Sequence, residues 1–267
     1  MNKTFATLGR AAAAGILLAV VGCASAPDGA ADENNDPLEP VNRTVFDFNQ
    51  SLDRAVLRPV AVGYNYAVPE DGRDAIRRAL DNMKEPVNFI NNLLQGDTSA
   101  AGATAARFVV NTAMGFGGFF DVATELQIDR RKADFGQTLY TWGVGEGPYL
   151  MLPVFGPSNL RDAVGLGVDS VADPTRYLFA AGNLEAFSFG TAALDGVDQR
   201  AGVVDTLDKL EKNALDYYAL IRSLSRQRRA AEIEKNPQIR IDLQKSSLYD
   251  DPEQRKPGAP TQTSVGR

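Results

Sequence analysis

The chain has no histidine, one cysteine and one tryptophan among its 267 residues. Without imidazole, Ser-His-Asp and Cys-His catalysis and every histidine metal site are excluded. The single thiol, Cys23, permits neither an intramolecular disulfide nor a paired-cysteine zinc cluster. Neither the G-x-S-x-G elbow of the hydrolases nor a phosphate-binding P-loop occurs, and no cofactor or metal is implied. One catalytic class stays open, a carboxylate-based lytic enzyme of the cell wall, because a general acid needs only one Glu or Asp of raised pKa. Basic residues are outnumbered 28 to 34, a net charge of −6, which argues against binding nucleic acid through bulk electrostatics.

Long apolar runs are also scarce. Near the start, the run from Ala11 to Val21 falls short of the ~20 residues that cross a bilayer. It follows Lys3 and Arg10 and ends in Leu18-Ala19-Val20-Val21-Gly22-Cys23, the layout of a lipoprotein signal peptide cut before a cysteine that is then acylated. One acyl chain anchors only marginally, so the several chains of a bacterial lipoprotein are needed for durable attachment. The competing reading is an uncleaved anchor with a free thiol. Ala24 stands where an inner-membrane lipoprotein commonly has aspartate, which favours the outer membrane. Loss of residues 1–22 removes Lys3 and Arg10 alone and leaves 26 basic against 34 acidic side chains.

Residues 23–36 are small, acidic or turn-forming and read as a lipidated, flexible tether. Residues 236–267 are polar and Pro-rich and read as a disordered tail. Between them, residues 37–235 suffice for one domain. Its period is helical: Val41, Val45, Phe48, Leu52 and Val56 recur every three or four residues. So do Ile76, Leu80, Met83, Val87 and Ile90, with a break expected at Pro86. Asp97 or Thr98 predicts a cap for a helix to about Ala113, Ser158 a cap for one from Asn159 to about Val171, and Pro174 its stop. A last series takes in Val204, Leu207, Leu210, Leu215, Tyr218, Ile221 and Leu224. Alternating strand patterns are hard to find, so the fold class is all-α.

Two stretches are unusually apolar. Phe108 to Ile128 carries only Asp121 and Glu125 as charges, and Trp142 to Leu160 only Glu146, yet glycines and prolines break both. They suit either a Gly-rich buried core or a protein inserted partly into one leaflet, where broken helices survive only when buried in protein or lining a cavity.

A series of ordered blocks then resembles one family. Asp36-Pro37-Leu38-Glu39-Pro40-Val41-Asn42-Arg43, Leu57-Arg58-Pro59-Val60-Ala61, Glu85-Pro86-Val87-Asn88 and Leu94-Gln95-Gly96 are similar to the MlaA (VacJ) lipoproteins. So are Arg107-Phe108-Val109-Val110-Asn111-Thr112, Gly115-Phe116-Gly117-Gly118-Phe119-Phe120-Asp121, Trp142-Gly143-Val144-Gly145 and Gly156-Pro157-Ser158 with Leu160-Arg161-Asp162. The likeness is dense from Asp36 to Asp173 and weaker beyond Pro174. The resemblance implies a ring of helices seated in the inner leaflet of the outer membrane around an amphipathic central channel. It implies removal of mislocalised phospholipid from the outer leaflet, transfer to a soluble periplasmic carrier, and residence beside trimeric porins. A structural lipoprotein that scaffolds a porin would share the anchor and the helices, but would not need the apolar Gly-Pro segments.

The candidate site residues have bland alternatives. Phe116, Phe119 and Phe120 suit a core, or line and gate a lipid passage whose loop conformations Gly115, Gly117 and Gly118 allow. Arg161 and Asp162 suit a paired helix start, or meet the phosphate and ammonium of a head group, with Asp169 two turns further along. Arg222, Arg226, Arg228 and Arg229 read as a solvated face or as a contact with anionic lipid.

Overall fold

The computed structural model describes residues 35–235. The expected signal peptide with its cut at Cys23, the tether up to residue 34 and the tail from residue 236 lie outside the described residues. A compact unit begins at Leu38.

Helix α1 (Glu39–Leu52) passes through a π-helical turn (Asp53–Leu57) into α2 (Arg58–Ala67). α2 ends where Val68 turns extended ahead of Pro69, since a residue before proline is driven out of the helical region. α3 (Glu70–Leu94) is followed by α4 (Thr98–Ala113), α5 (Val122–Glu125) and α6 (Phe135–Thr141). The antiparallel strands β1 (Tyr149–Leu152) and β2 (Gly156–Asn159) lead into α7 (Leu160–Ala172) and α8 (Pro174–Ala181). α9 (Glu185–Gly202), α10 (Val204–Asn213) and α11 (Tyr217–Glu234) complete the chain's helices among the described residues.

Side-chain oxygens of Asp97, Asp121, Asp134, Asn159, Asp173 and Asp216 cap α4, α5, α6, α7, α8 and α11 by accepting a backbone N–H of the first turn. Asn159 rather than Ser158 caps α7: its side-chain oxygen accepts from the Asp162 amide at 2.8 Å, whereas the Ser158 hydroxyl donates to the Asn159 carbonyl. Pro174 does not merely stop α7; it opens α8, where a missing N–H costs nothing. Pro86 sits inside an unbroken α3, whose polar side chains on both sides of it bond to neighbouring elements: Asn82 to Thr112 at 3.0 Å and Asn92 to Thr104 at 3.1 Å. The last apolar series is two helices, parted at the extended Ala214.

The hairpin departs from the all-helical expectation. Its register pairs Tyr149 with Asn159 and Leu152 with Gly156. Two asparagines of α1, seven residues apart, supply the backbone partners of β1. Asn42 donates to the Tyr149 carbonyl (3.1 Å) and accepts from the Met151 amide (2.9 Å). Asn49 donates to the Leu152 carbonyl (2.9 Å) and accepts from the Val154 amide (2.8 Å). A strand edge that would invite another chain is thereby closed by side chains.

Contacts between elements run in a closed circuit. α2 packs on α9, α9 on α3, α3 on α6, α6 on α7, α7 on the hairpin, and β1 on α1, which is continuous with α2. What the circuit buries is unusual. α3 turns Asn82, Glu85, Asn88, Asn91 and Asn92 inward and leaves Leu93 and Leu94 exposed. In α1 the predicted apolar stripe is only partly covered: Val41 is 59% exposed and Phe48 54%, while Val45 packs against the cluster of Tyr149, Met151 and Tyr218. Val60, Val109, Phe155, Val171 and Leu178 are exposed as well, whereas half of the twelve buried hydrophobic residues among those described are alanines. No helix among the described residues is long and apolar enough to cross a membrane. Exposed apolar surface on this scale marks contact with lipid or a partner. Expressed without residues 1–23, the protein should therefore need detergent to remain monomeric in light scattering after size exclusion. A monodisperse monomer in plain buffer would contradict that expectation.

Candidate functional site

The Gly115–Phe120 loop joins α4 to α5 and is tied to α3. Arg78 donates to the Phe119 carbonyl at 3.0 Å, and Asn82 reaches the Gly117 carbonyl at 3.4 Å. The loop is tight: the amides of Gly118 and Phe120 both donate to the Gly115 carbonyl. Phe116, Gly117 and Gly118 take positive φ of 55°, 74° and 100°. A Cβ on Gly118 would stand 2.5 Å from the Asn82 Cβ, whereas one on Gly117 would meet open space. Phe116, Phe119 and Phe120 are exposed, Phe116 by 80%. They are therefore surface side chains rather than core, and their left-handed neighbour conformations hold them outward.

Beneath the loop lies a buried polar knot. Arg107, 3% exposed, forks onto both oxygens of Asp121 at 2.8 and 2.9 Å. Burial works against the Asp121 charge, but hydrogen bonds from Thr124, Asn111 and Arg107 outweigh it and hold the carboxyl at about 2. Glu85 stands 3.5 Å from the Arg130 Nε and accepts from Asn88 at 3.2 Å. There burial wins and the carboxyl is pushed up.

Arg161, Asp162 and Asp169 lie in a second knot between α6, α7 and α11. Arg161 is buried, donates to Asp162 at 3.1 Å and stacks over the Tyr140 ring at 5.2 Å. Asp162 also takes two bonds from Arg229, at 2.8 and 2.9 Å. The same guanidinium donates to both oxygens of Asp134, at 2.8 and 2.7 Å. Asp169 accepts from the Phe135 amide (2.9 Å) and from Asn91 (2.8 Å), and burial raises its pKa against those bonds. Close approach makes the knot possible. A Cβ on Gly136 would sit 2.4 Å from an Asp162 oxygen, and one on Gly165 would sit 2.4 Å from the Gly136 amide nitrogen. The basic run of α11 is paired throughout: Arg222 to Glu39, Arg226 to Glu146 and Arg228 to Glu232, besides Arg229.

A cavity of about 610 Å³ opens elsewhere on the circuit. It is lined by Leu80, Met83 and Lys84 of α3, by Ser170 and Asp173, by Thr175, Arg176, Phe179 and Ala180 of α8, and by Ser188, Phe189, Thr191, Ala192 and Asp195 of α9. None of the site residues expected from the sequence is in that lining. Sequence reasoning passed over α8 and α9 because the family blocks thin out after Pro174. The signal present was compositional: hydroxyls and charges interleaved with Phe179 and Phe189.

The two knots generate two expectations. Gly117→Ala should cost about 1 kcal/mol through its positive φ, and Gly118→Ala distinctly more because a steric clash adds to the strain. Thermal unfolding of both variants tests the order. Asp162→Asn should destabilise on the order of 2 kcal/mol, less than the ~3–5 of a fully buried pair because both partners keep some water contact. Burial alone would raise the Asp162 pKa, yet Arg229 and Arg161 depress it below 3.8. Its contribution is thus complete above that value and lost as pH falls through the lower folded pKa. The variant should be weaker at neutral pH and show a shallower loss below pH 4, read from acid unfolding curves.

Comparison with known proteins agrees with this architecture. The family model described as MlaA lipoprotein matches residues 34–232. A Shigella flexneri protein named intermembrane phospholipid transport system lipoprotein MlaA is 36% identical over 215 residues, covering 78% of this chain and 82% of its own. The protein of that name from Escherichia coli K12 shows the same identity and coverage. An uncharacterized protein of Rickettsia bellii is 35% identical over 200 residues, covering 74% of this chain and 77% of its own. A solved structure from work on the structural basis for maintenance of bacterial outer membrane lipid asymmetry superposes with a TM-score of 0.64 at 37% identity, covering 74% of this chain and 98% of that one. The chain belongs to the MlaA lipoprotein family.

Proposed function

We propose that this lipoprotein removes phospholipid that has strayed into the outer leaflet of the outer membrane and releases it toward a soluble carrier in the periplasm. The observation that carries the reading is the reversal of polarity around the closed helical circuit. Apolar side chains face out, polar ones face in, and a cavity with both kinds of lining lies between α3, α8 and α9. An amphipathic cargo needs both surfaces. The names of the Shigella and Escherichia relatives support the same cargo class.

In this reading the acylated Cys23 tethers the protein, and the exposed apolar belt seats the circuit partly in the inner leaflet of the outer membrane, beside trimeric porins. The Gly115–Phe120 loop gates entry, with its three phenylalanines toward lipid. Arg161, Asp162 and Asp169 act as positioning residues: they lock α6, α7 and α11 and so fix the cavity's flank at Ser170 and Asp173. With no P-loop in the sequence, direction comes from the acceptor or from the lipid imbalance itself. A porin scaffold would share the anchor and helices, but the mixed lining of the cavity speaks for cargo.

Deletion of the gene, in a background with no second copy, should let phospholipid accumulate on the cell surface. Resistance to detergent with a chelator should fall, and the intact gene should restore it. Surface labelling that finds normal lipid asymmetry in the deletion strain would remove the transport reading.

A further inference from the structure

Arginines are almost all committed in this molecule. Among the described residues every arginine except Arg73, Arg78 and Arg176 has a carboxylate within salt-bridge distance. Arg73 and Arg78 donate to the carbonyls of Asn65 (3.1 Å) and Phe119 (3.0 Å). Arg176 makes one long bond, 3.4 Å to the Ser170 carbonyl, and alone of the three lines the cavity.

Two other charges in the cavity wall pair with each other. Lys84 donates to Asp195 at 2.6 Å, and Asp195 also accepts from Gln199 at 2.7 Å. Asp173 caps α8, accepting from the amide and the hydroxyl of Thr175 at 2.9 and 2.8 Å. The cavity wall is left with one positive charge outside any ion pair, Arg176, and one such carboxylate, Asp173, whose two bonds from Thr175 fall on a single oxygen. A guanidinium that shares its cavity wall with Phe179 and Phe189 gains most from an anion with two oxygens to fork onto, which a phosphodiester offers.

Resting on the phospholipid reading, we infer that Arg176 is the phosphate contact of a head-group site between α3, α8 and α9, which takes a glycerophospholipid head first. The cavity's about 610 Å³ lies within the ~300–1,000 Å³ typical of small-molecule sites. That holds a head group and glycerol but not two whole acyl chains. The chains lie outside, along apolar surface where Leu178 and Phe189 are 71% and 78% exposed. Asp173 stands in the same wall, so an ammonium beyond the phosphate has a carboxylate to meet.

The test uses the full-length acylated protein in detergent, loaded with radiolabelled phosphatidylglycerol, phosphatidylethanolamine or diacylglycerol. Wild type should retain both phospholipids above diacylglycerol. Loss of a charge-assisted bond corresponds to about tenfold in affinity, so Arg176→Glu and Arg176→Gln should each lower phospholipid retention by about that factor. Diacylglycerol retention should stay unchanged, which a folding defect would not allow, and Arg176→Lys, which keeps the charge but loses the fork, should fall between wild type and Arg176→Gln. Excess inorganic phosphate should not displace the lipid, because the apolar rim holds it as well. Full retention by the glutamate and glutamine variants overturns the inference alone, as does complete displacement by inorganic phosphate, which would make this a free-phosphate site. A wild type that retains neither phospholipid overturns the transport reading together with it.

Discussion

The constraint behind the whole structure is that its buried polar side chains must be satisfied from within, because many of its large apolar side chains lie on the surface. In water, burial of large hydrophobic side chains drives folding; between lipid tails that drive vanishes, and hydrogen bonds with close packing take over. In this chain buried hydrogen bonds stand beside two small apolar clusters, Ala61 with Ala201 and Val204, and Tyr149 with Met151 and Tyr218. Asp198, 1% exposed, joins three helices through Arg77 (2.9 Å) on α3 and Tyr64 (3.3 Å) on α2. Thr138 of α6 links to Asn91 (2.9 Å) and Gln95 (3.1 Å) at the end of α3. Such polar ties accompany apolar packing at the contacts of α2 with α9 and of α1 with β1.

The same economy explains why so many helices begin with aspartate or asparagine. Asp121, Asp134 and Asp216 cap α5, α6 and α11 and also accept from Arg107, Arg229 and Arg43, so one carboxylate fixes a helix start and a long-range contact together. Such double use is sensitive to spacing, and Gly136 and Gly165 supply it by letting α6 and α7 approach to backbone contact. The ties also divide by location. Pairs on the outer side of α10, such as Arg58 with Asp208, are half exposed and contribute little, whereas the Arg107–Asp121 pair is nearly dry on the arginine side.

How much of this was legible in the sequence depends on which link carried the information. Helical period and caps were local and readable: Asp97 opens α4, and α4 ends at Ala113 as the pattern predicts. The direction of the helices was not readable, because periodicity marks an apolar face without saying whether water, protein or lipid covers it. Val41, Phe48 and Val56 therefore recur at core spacing and face outward. The hairpin was missed because its partners are the side chains of Asn42 and Asn49, more than a hundred residues away. In the candidate site, the family blocks pointed to the Gly-Phe loop and to Arg161 and Asp162, which the fold ties into knots. The residues around the cavity come from α8 and α9, where no block guided the reading.

The central claim is that the apolar face meets lipid and the polar face does not. Cys23 is the only native cysteine, and once it is acylated its sulfur is blocked, so single cysteines introduced at exposed sites can carry a nitroxide without competition. Val109→Cys, Phe155→Cys and Leu178→Cys probe the apolar belt, and Lys209→Cys probes the polar helix α10. In reconstituted vesicles, power saturation should find the first three relaxed by oxygen and shielded from a water-soluble nickel chelate, with Lys209→Cys showing the reverse. Equal access of the nickel chelate to all four positions would contradict the account.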